Sequence, residues 1–204
     1  MSNQGREILD EFVKEFEISF APSVPRIVKN GDKHAGAAWS KYLSEWVVEK
    51  LDYNLYCFEL PMSDESRSPR LDAAIWRNKK DRKGPMDLAI EWEWDSNKVE
   101  KKFPYGDFNK LLSQSVAAKV GLAIIQTRID GRRGIKQAEK TVSNIKKFYK
   151  ENRKDNRPVG VIEIRRVSTK PECEFQCRFH DLNNENGEMS ESKELEMKHP
   201  LRYP

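Results

Sequence analysis

Four carboxylates on alternate positions of one short stretch carry the strongest chemical signal in the chain. From Met86 to Asp95 the even positions are Met86, Leu88, Ile90, Trp92 and Trp94, and the odd ones Asp87, Ala89, Glu91, Glu93 and Asp95. As a strand, this alternation puts an apolar row on one face and an acidic row on the other. Like charges in one row repel and are costly to half-bury unless a cation sits against them. The pattern suggests a divalent metal site. The alternative is a solvent-facing strand whose acids pair with Lys and Arg.

The elements that must position this row follow from periodicity. A first helix through Phe20 carries Ile8, Phe12, Val13 and Phe16 at helical spacing, and Pro22 and Pro25 end it. A second runs from about Ala35 to Leu51 with Trp39, Leu43, Trp46 and Val47 on its stripe. Short strands follow at Asn54–Leu60 and Leu71–Trp76, and the second forms an antiparallel hairpin with the acidic strand. A helix is expected over Tyr105–Lys119, a central strand over Val120–Thr127, a turn at Ile129–Gly134 and a helix over Ile135–Asn152 with Ile135, Ala138, Val142, Ile145 and Phe148 inward. Strands at Val159–Ile164 and Cys173–Phe179 complete an α/β domain, a mixed sheet flanked by helices, over residues 1–182. Residues 183–204 read as a polar, poorly ordered tail.

Composition narrows the class. At 204 residues one domain is the default, with 34% charged residues and a net charge of +4, which a polyanionic partner tolerates without requiring. Three cysteines (Cys57, Cys173 and Cys177) make no disulfide framework and suit a reducing interior. With no signal-like N-terminus and no apolar run near the roughly 20 residues that span a bilayer, a cytoplasmic protein without a membrane partner is expected.

Asp72 in LDAAIW and Glu91-Trp92-Glu93 in DLAIEWEWD resemble the acidic motifs of the PD-(D/E)XK superfamily, the restriction-endonuclease-like fold. That family's core is a helix, a three-stranded meander, a helix and a strand, with acids on the second and third meander strands. The resemblance covers roughly residues 39–164; Asp72 takes the place of the PD aspartate, with Pro69 three residues upstream, and Glu91 follows nineteen residues later. Glu93 stands where the family usually has lysine, as in the ExE variant of some type II restriction enzymes. The resemblance implies that Asp72, Glu91 and Glu93 bind Mg²⁺, with Mn²⁺ as a substitute, and that the Trp92 carbonyl adds an oxygen ligand. It further implies that Glu93, or Lys110 on the following helix, acts as general base, and that Glu45 or Glu49 adds an acid. The implied activity is phosphodiester hydrolysis of double-stranded DNA by a homodimer.

Basic residues flank the acidic strand: Arg67, Arg70, Arg77, Lys79, Lys80, Arg82 and Lys83, with Arg132 and Arg133 in a later turn. Such a set fits phosphate contacts, against the plainer reading of solubility charge. Cys173, Cys177 and His180 mimic ligand spacing, yet strand periodicity puts the cysteines on one face and His180 on the other, so core cysteines are expected. GRRG at Gly131–Gly134 lacks the P-loop lysine. Two further classes stay open: a binding module of the same fold without catalysis, and a protein-interaction or regulatory domain.

Overall fold

The structure, a computed structural model, describes residues 3–20, 35–50, 55–62, 70–76, 84–94, 96–168, 173–183, 192–195 and 201–203. Its frame is one eight-stranded mixed sheet. Strands β1 (Leu55–Pro61), β2 (Arg70–Trp76), β3 (Met86–Glu93), β4 (Ala118–Arg128), β5 (Val159–Ser168), β6 (Cys173–Asp181) and β7 (Ser192–Leu195) lie side by side in chain order, and β8 (Leu201–Tyr203) also pairs with β6. The first three form an antiparallel meander, β3, β4 and β5 run parallel, and β6 turns back. Parallel neighbours need a crossover. Between β3 and β4 it is α3 (Ser96–Lys101) and α4 (Asp107–Leu111), and between β4 and β5 it is α5 (Gly131–Asn152).

Two apolar layers sandwich the sheet. On one face α1 (Asn3–Glu15), its π-helical extension Phe16–Phe20 and α2 (Ala35–Lys50) share a core with Ala73, Ile75, Leu88, Ile90, Leu122 and Ile162. Phe12, Phe16 and Phe20 each make an edge-to-face contact with Trp46, with ring centroids 5.4, 5.7 and 5.4 Å apart. Each such buried ring contributes about 1.5–3 kcal/mol, enough to hold α1 and α2 together. On the other face, Val99, Phe103, Phe108, Leu111, Ile145 and Tyr149 from α3 to α5 and their connections pack on Ala74, Ala89, Ala123 and Val161.

Several expectations are corrected. The helix expected over Tyr105–Lys119 stops at Leu111. Ser113 Oγ accepts a hydrogen bond from Ser115 N–H, and Arg157 donates to the Val116 and Ser113 carbonyls, so side chains satisfy backbone groups that a helix would have used. An unforeseen short helix, α3, precedes it. The turn expected at Ile129–Gly134 is the start of α5, with Gly131 at φ +61°. Ile135 is 40% exposed rather than inward, and Thr141 and Tyr149 join Ala138, Val142 and Ile145 in the buried stripe. Strands β7 and β8 form within the stretch expected to be a polar tail, both on β6.

Candidate active site

Asp72 and Glu91 face the second layer. Ala73 lies opposite Ile90 and Ala74 opposite Ala89 in the β2–β3 register, so the next step toward the start of β2 sets Asp72 beside Glu91. The hairpin thereby places two acids, distant in sequence, on adjacent strands of one face. Asp72 Oδ2 accepts a hydrogen bond from the Trp92 backbone N–H at 2.7 Å, which fixes the carboxylate against the next strand. The side chain of Glu91 is 0% exposed, while that of Asp72 is partly buried.

Lys110, from α4, reaches into this pair. Its Nζ stands 2.7 Å from Glu91 Oε2 and 3.1 Å from Asp107 Oδ1, and it donates to the Arg70 carbonyl at 2.6 Å. The Glu91 contact with Lys110 is an ion pair without the alignment of a hydrogen bond, and the Glu91 and Asp72 carboxyl groups are within hydrogen-bonding reach of each other. A fully buried charged carboxylate is costly. Burial first, then the neighbouring Asp72 charge, pushes Glu91 up to about 9 against the pull of Lys110. Burial likewise raises Asp72 to about 6, opposed by the Trp92 hydrogen bond and Lys110. The Lys110 ammonium is itself held above its ordinary value: burial lowers it, and Glu91 and Asp107 more than compensate.

Acids raised by burial, Glu91 also by the Asp72 charge, gain from a compact dication, since that charge favours their ionised forms. Their hard oxygens also suit Mg²⁺ or Mn²⁺. Asp72 and Glu91 therefore have the chemistry to hold a divalent ion. Among the described residues no group of three or more His, Cys, Asp or Glu stands ready to hold a metal.

The other expected site residues divide. Glu93 is on the Glu91 face, partly buried, 3.8 Å from Lys98. Asp87 is structural: it is 3% exposed and pairs with Lys119 at 2.8 Å. Glu45 does not join the pair. It is exposed and pairs with Lys41 on its own helix, whose buried side chains Leu43, Trp46 and Val47 belong to the layer across the sheet from Glu91. Glu49 is exposed on that same helix. Of the expected phosphate contacts, Arg70 is exposed at the start of β2, and Arg132 and Arg133 are exposed in the first turn of α5. Arg133 lines a cleft of about 350 Å³ with Arg128, Glu100, Asp130 and Gln137. Arg67, Arg77, Lys79, Lys80, Arg82 and Lys83 lie outside the described residues.

Sequence reasoning missed a second buried polar group and the role of Asp107. Glu163 on β5 accepts from Thr127 Oγ1 at 2.7 Å and lies 3.0 Å from His180 Nε2 and 3.2 Å from Arg165 Nε. Burial raises this carboxyl, but the His180 hydrogen bond, the Arg165 charge and Thr127 outweigh it and hold Glu163 below its ordinary value. The available signal was Glu163 and Arg165 recurring at period two within an otherwise apolar strand. Cys177 is in the opposite layer from His180, with its thiol pushed up to about 12 by burial and then Glu163. Compared with family models, curated proteins and solved structures, the chain matches none.

Proposed function

We propose that this chain is a Mg²⁺-dependent DNA endonuclease whose site is Asp72, Glu91 and Lys110. The observation that carries the reading is the convergence of two acids from adjacent strands and one lysine from the crossover helix, around a fully buried carboxyl group. Supporting it is the element order α2, β1–β2–β3, α3–α4, β4, which is the helix, meander, helix, strand sequence expected from the motif resemblance. When bound, a divalent ion would supply charge neutralisation and an activated water at neutral pH.

The chain's own residues would divide the remaining work. Asp72 and Glu91 would hold the ion and set its position against the scissile phosphate. Lys110 Nζ, held as an ammonium by its acidic neighbours, would donate to a phosphate oxygen as negative charge builds there. Glu93, on the same face of β3, would accept the proton of the attacking water. Arg70 at the start of β2 would contact the backbone of the nucleic acid. A type II restriction enzyme working as a homodimer on double-stranded DNA is the specific form proposed, with one site per strand.

One observation favours a second reading. Lys110 Nζ already stands 2.7 Å from Glu91 Oε2, and a lysine that only occupies that carboxyl would leave a binding module without catalysis. Incubating supercoiled plasmid with the protein and Mg²⁺ separates the two. Nicked or linear DNA that disappears with chelator and in Asp72→Ala and Glu91→Ala supports the nuclease; cleavage unchanged in both variants removes these residues from the site.

A further inference from the structure

Lys110 is surrounded by oxygens in this arrangement. Its Nζ donates to the Arg70 carbonyl at 2.6 Å and forms ion-pair contacts with Glu91 Oε2 at 2.7 Å and Asp107 Oδ1 at 3.1 Å. It therefore sets a positive charge directly against the 0%-exposed Glu91. A divalent ion arriving at that carboxylate meets a fixed positive charge, and the two repel at short range. One of the acceptors of Lys110 is well suited to take it over. Asp107 sits one helical turn earlier on α4, so it moves with Lys110, and its side chain is 43% exposed and free of the packing that fixes Glu91. The lysine stem is long and flexible enough to shift its head group without moving the helix.

Resting on the metal-site reading above, we propose that Lys110 is a placeholder cation, holding Glu91 in the ion-free protein and passing to Asp107 when a divalent ion takes that carboxylate. Asp107 is then a positioning residue: it receives the lysine and keeps it beside the site, poised toward the substrate phosphate. Plain electrostatics offers a competing role, in which the Asp107 charge simply attracts the ion. The two differ in whether Asp107 acts through Lys110.

The test is Mn²⁺ affinity, read by isothermal titration on the full chain for wild type, Asp107→Asn, Lys110→Gln and the double variant, with Glu91→Gln as reference. Asp107→Asn is expected to weaken Mn²⁺ binding roughly three- to tenfold in the wild-type background. In the Lys110→Gln background it should have no effect, and Asp107→Glu should restore the wild-type value. Equal weakening in both backgrounds, with binding still lost in Glu91→Gln, overturns the placeholder and leaves the metal site standing. Wild type and Glu91→Gln that both fail to bind Mn²⁺ overturn the metal-site reading and the placeholder together. Lysine-selective NMR on wild type gives a check that needs no Lys110 variant. The Lys110 ε-methylene resonance should move in step with Mg²⁺ saturation, and a stationary resonance refutes the hand-over.

Discussion

Replacing Glu91 by Gln should change how stability depends on pH, and the sign follows from its surroundings. In the folded protein this carboxyl is raised to about 9 from an ordinary value of 4.5. The native state thus keeps a proton over a range where the unfolded chain has released it, so stability falls as pH rises through that window. A group raised in this way contributes its full stability below pH 4.5 and loses it as pH climbs toward 9. One proton corresponds to about 1.4 kcal/mol per pH unit. Asp72, raised to about 6, adds a slope of the same sign between 3.8 and 6. Coupling among Asp72, Glu91 and Lys110 spreads the titration, so a difference of about 1–3 kcal/mol between pH 6 and pH 8 is the expectation. Glutamine keeps the shape and cannot titrate. Urea denaturation in chelator at four pH values between 5.5 and 8.5, on wild type and Glu91→Gln, reads the titration of Glu91 and the groups coupled to it, because uncoupled groups cancel in the difference. Wild type should lose stability relative to the variant as pH rises. Parallel pH profiles would refute the assignment of Glu91 as a carboxyl made proton-retentive by burial.

Three further outcomes follow from other contacts. Lys119→Met removes a charged partner of the nearly buried Asp87. Because Lys119 is partly solvated, a loss of about 1–3 kcal/mol in urea denaturation is expected. Glu163→Gln should cost about 3–5 kcal/mol by the same assay, since Arg165, 4% exposed, is left without its counter-charge. Gly134→Ala should lower stability by about 1–3 kcal/mol in thermal denaturation, because a Cβ there meets the Ile129 carbonyl carbon at 2.9 Å and the Arg128 carbonyl oxygen at 3.1 Å.

What the sequence disclosed depended on which physical term set each feature. Alternation along Met86–Glu93 disclosed the β3 strand and its acidic face, and the buried strands β4 and β5 were legible as continuous apolar runs. Periodicity says which side of a helix is buried, and it is silent on which side of the sheet the helix covers. That is why Glu45, placed with the acids in the sequence reading, lies on α2 against the other layer. The early stop of α4 was hidden because it depends on Arg157, more than forty residues downstream, bonding the Val116 carbonyl. Glu163, Arg165 and His180 escaped notice for a similar reason: only the pairing of β4, β5 and β6 brings them together with Thr127. Lys110 was reachable from the motif resemblance, whereas Asp107, its partner one turn away, was not singled out. Local pattern disclosed most of the elements, and long-range pairing decided the rest.

The most direct test of the central claim is digestion of DNA of diverse sequence in Mg²⁺, with every new end sequenced, by wild type beside Glu91→Ala. The account predicts ends that accumulate at defined positions with wild type and vanish with chelator and with the variant. No new ends from wild type across diverse DNA, or the same ends from Glu91→Ala, would contradict it.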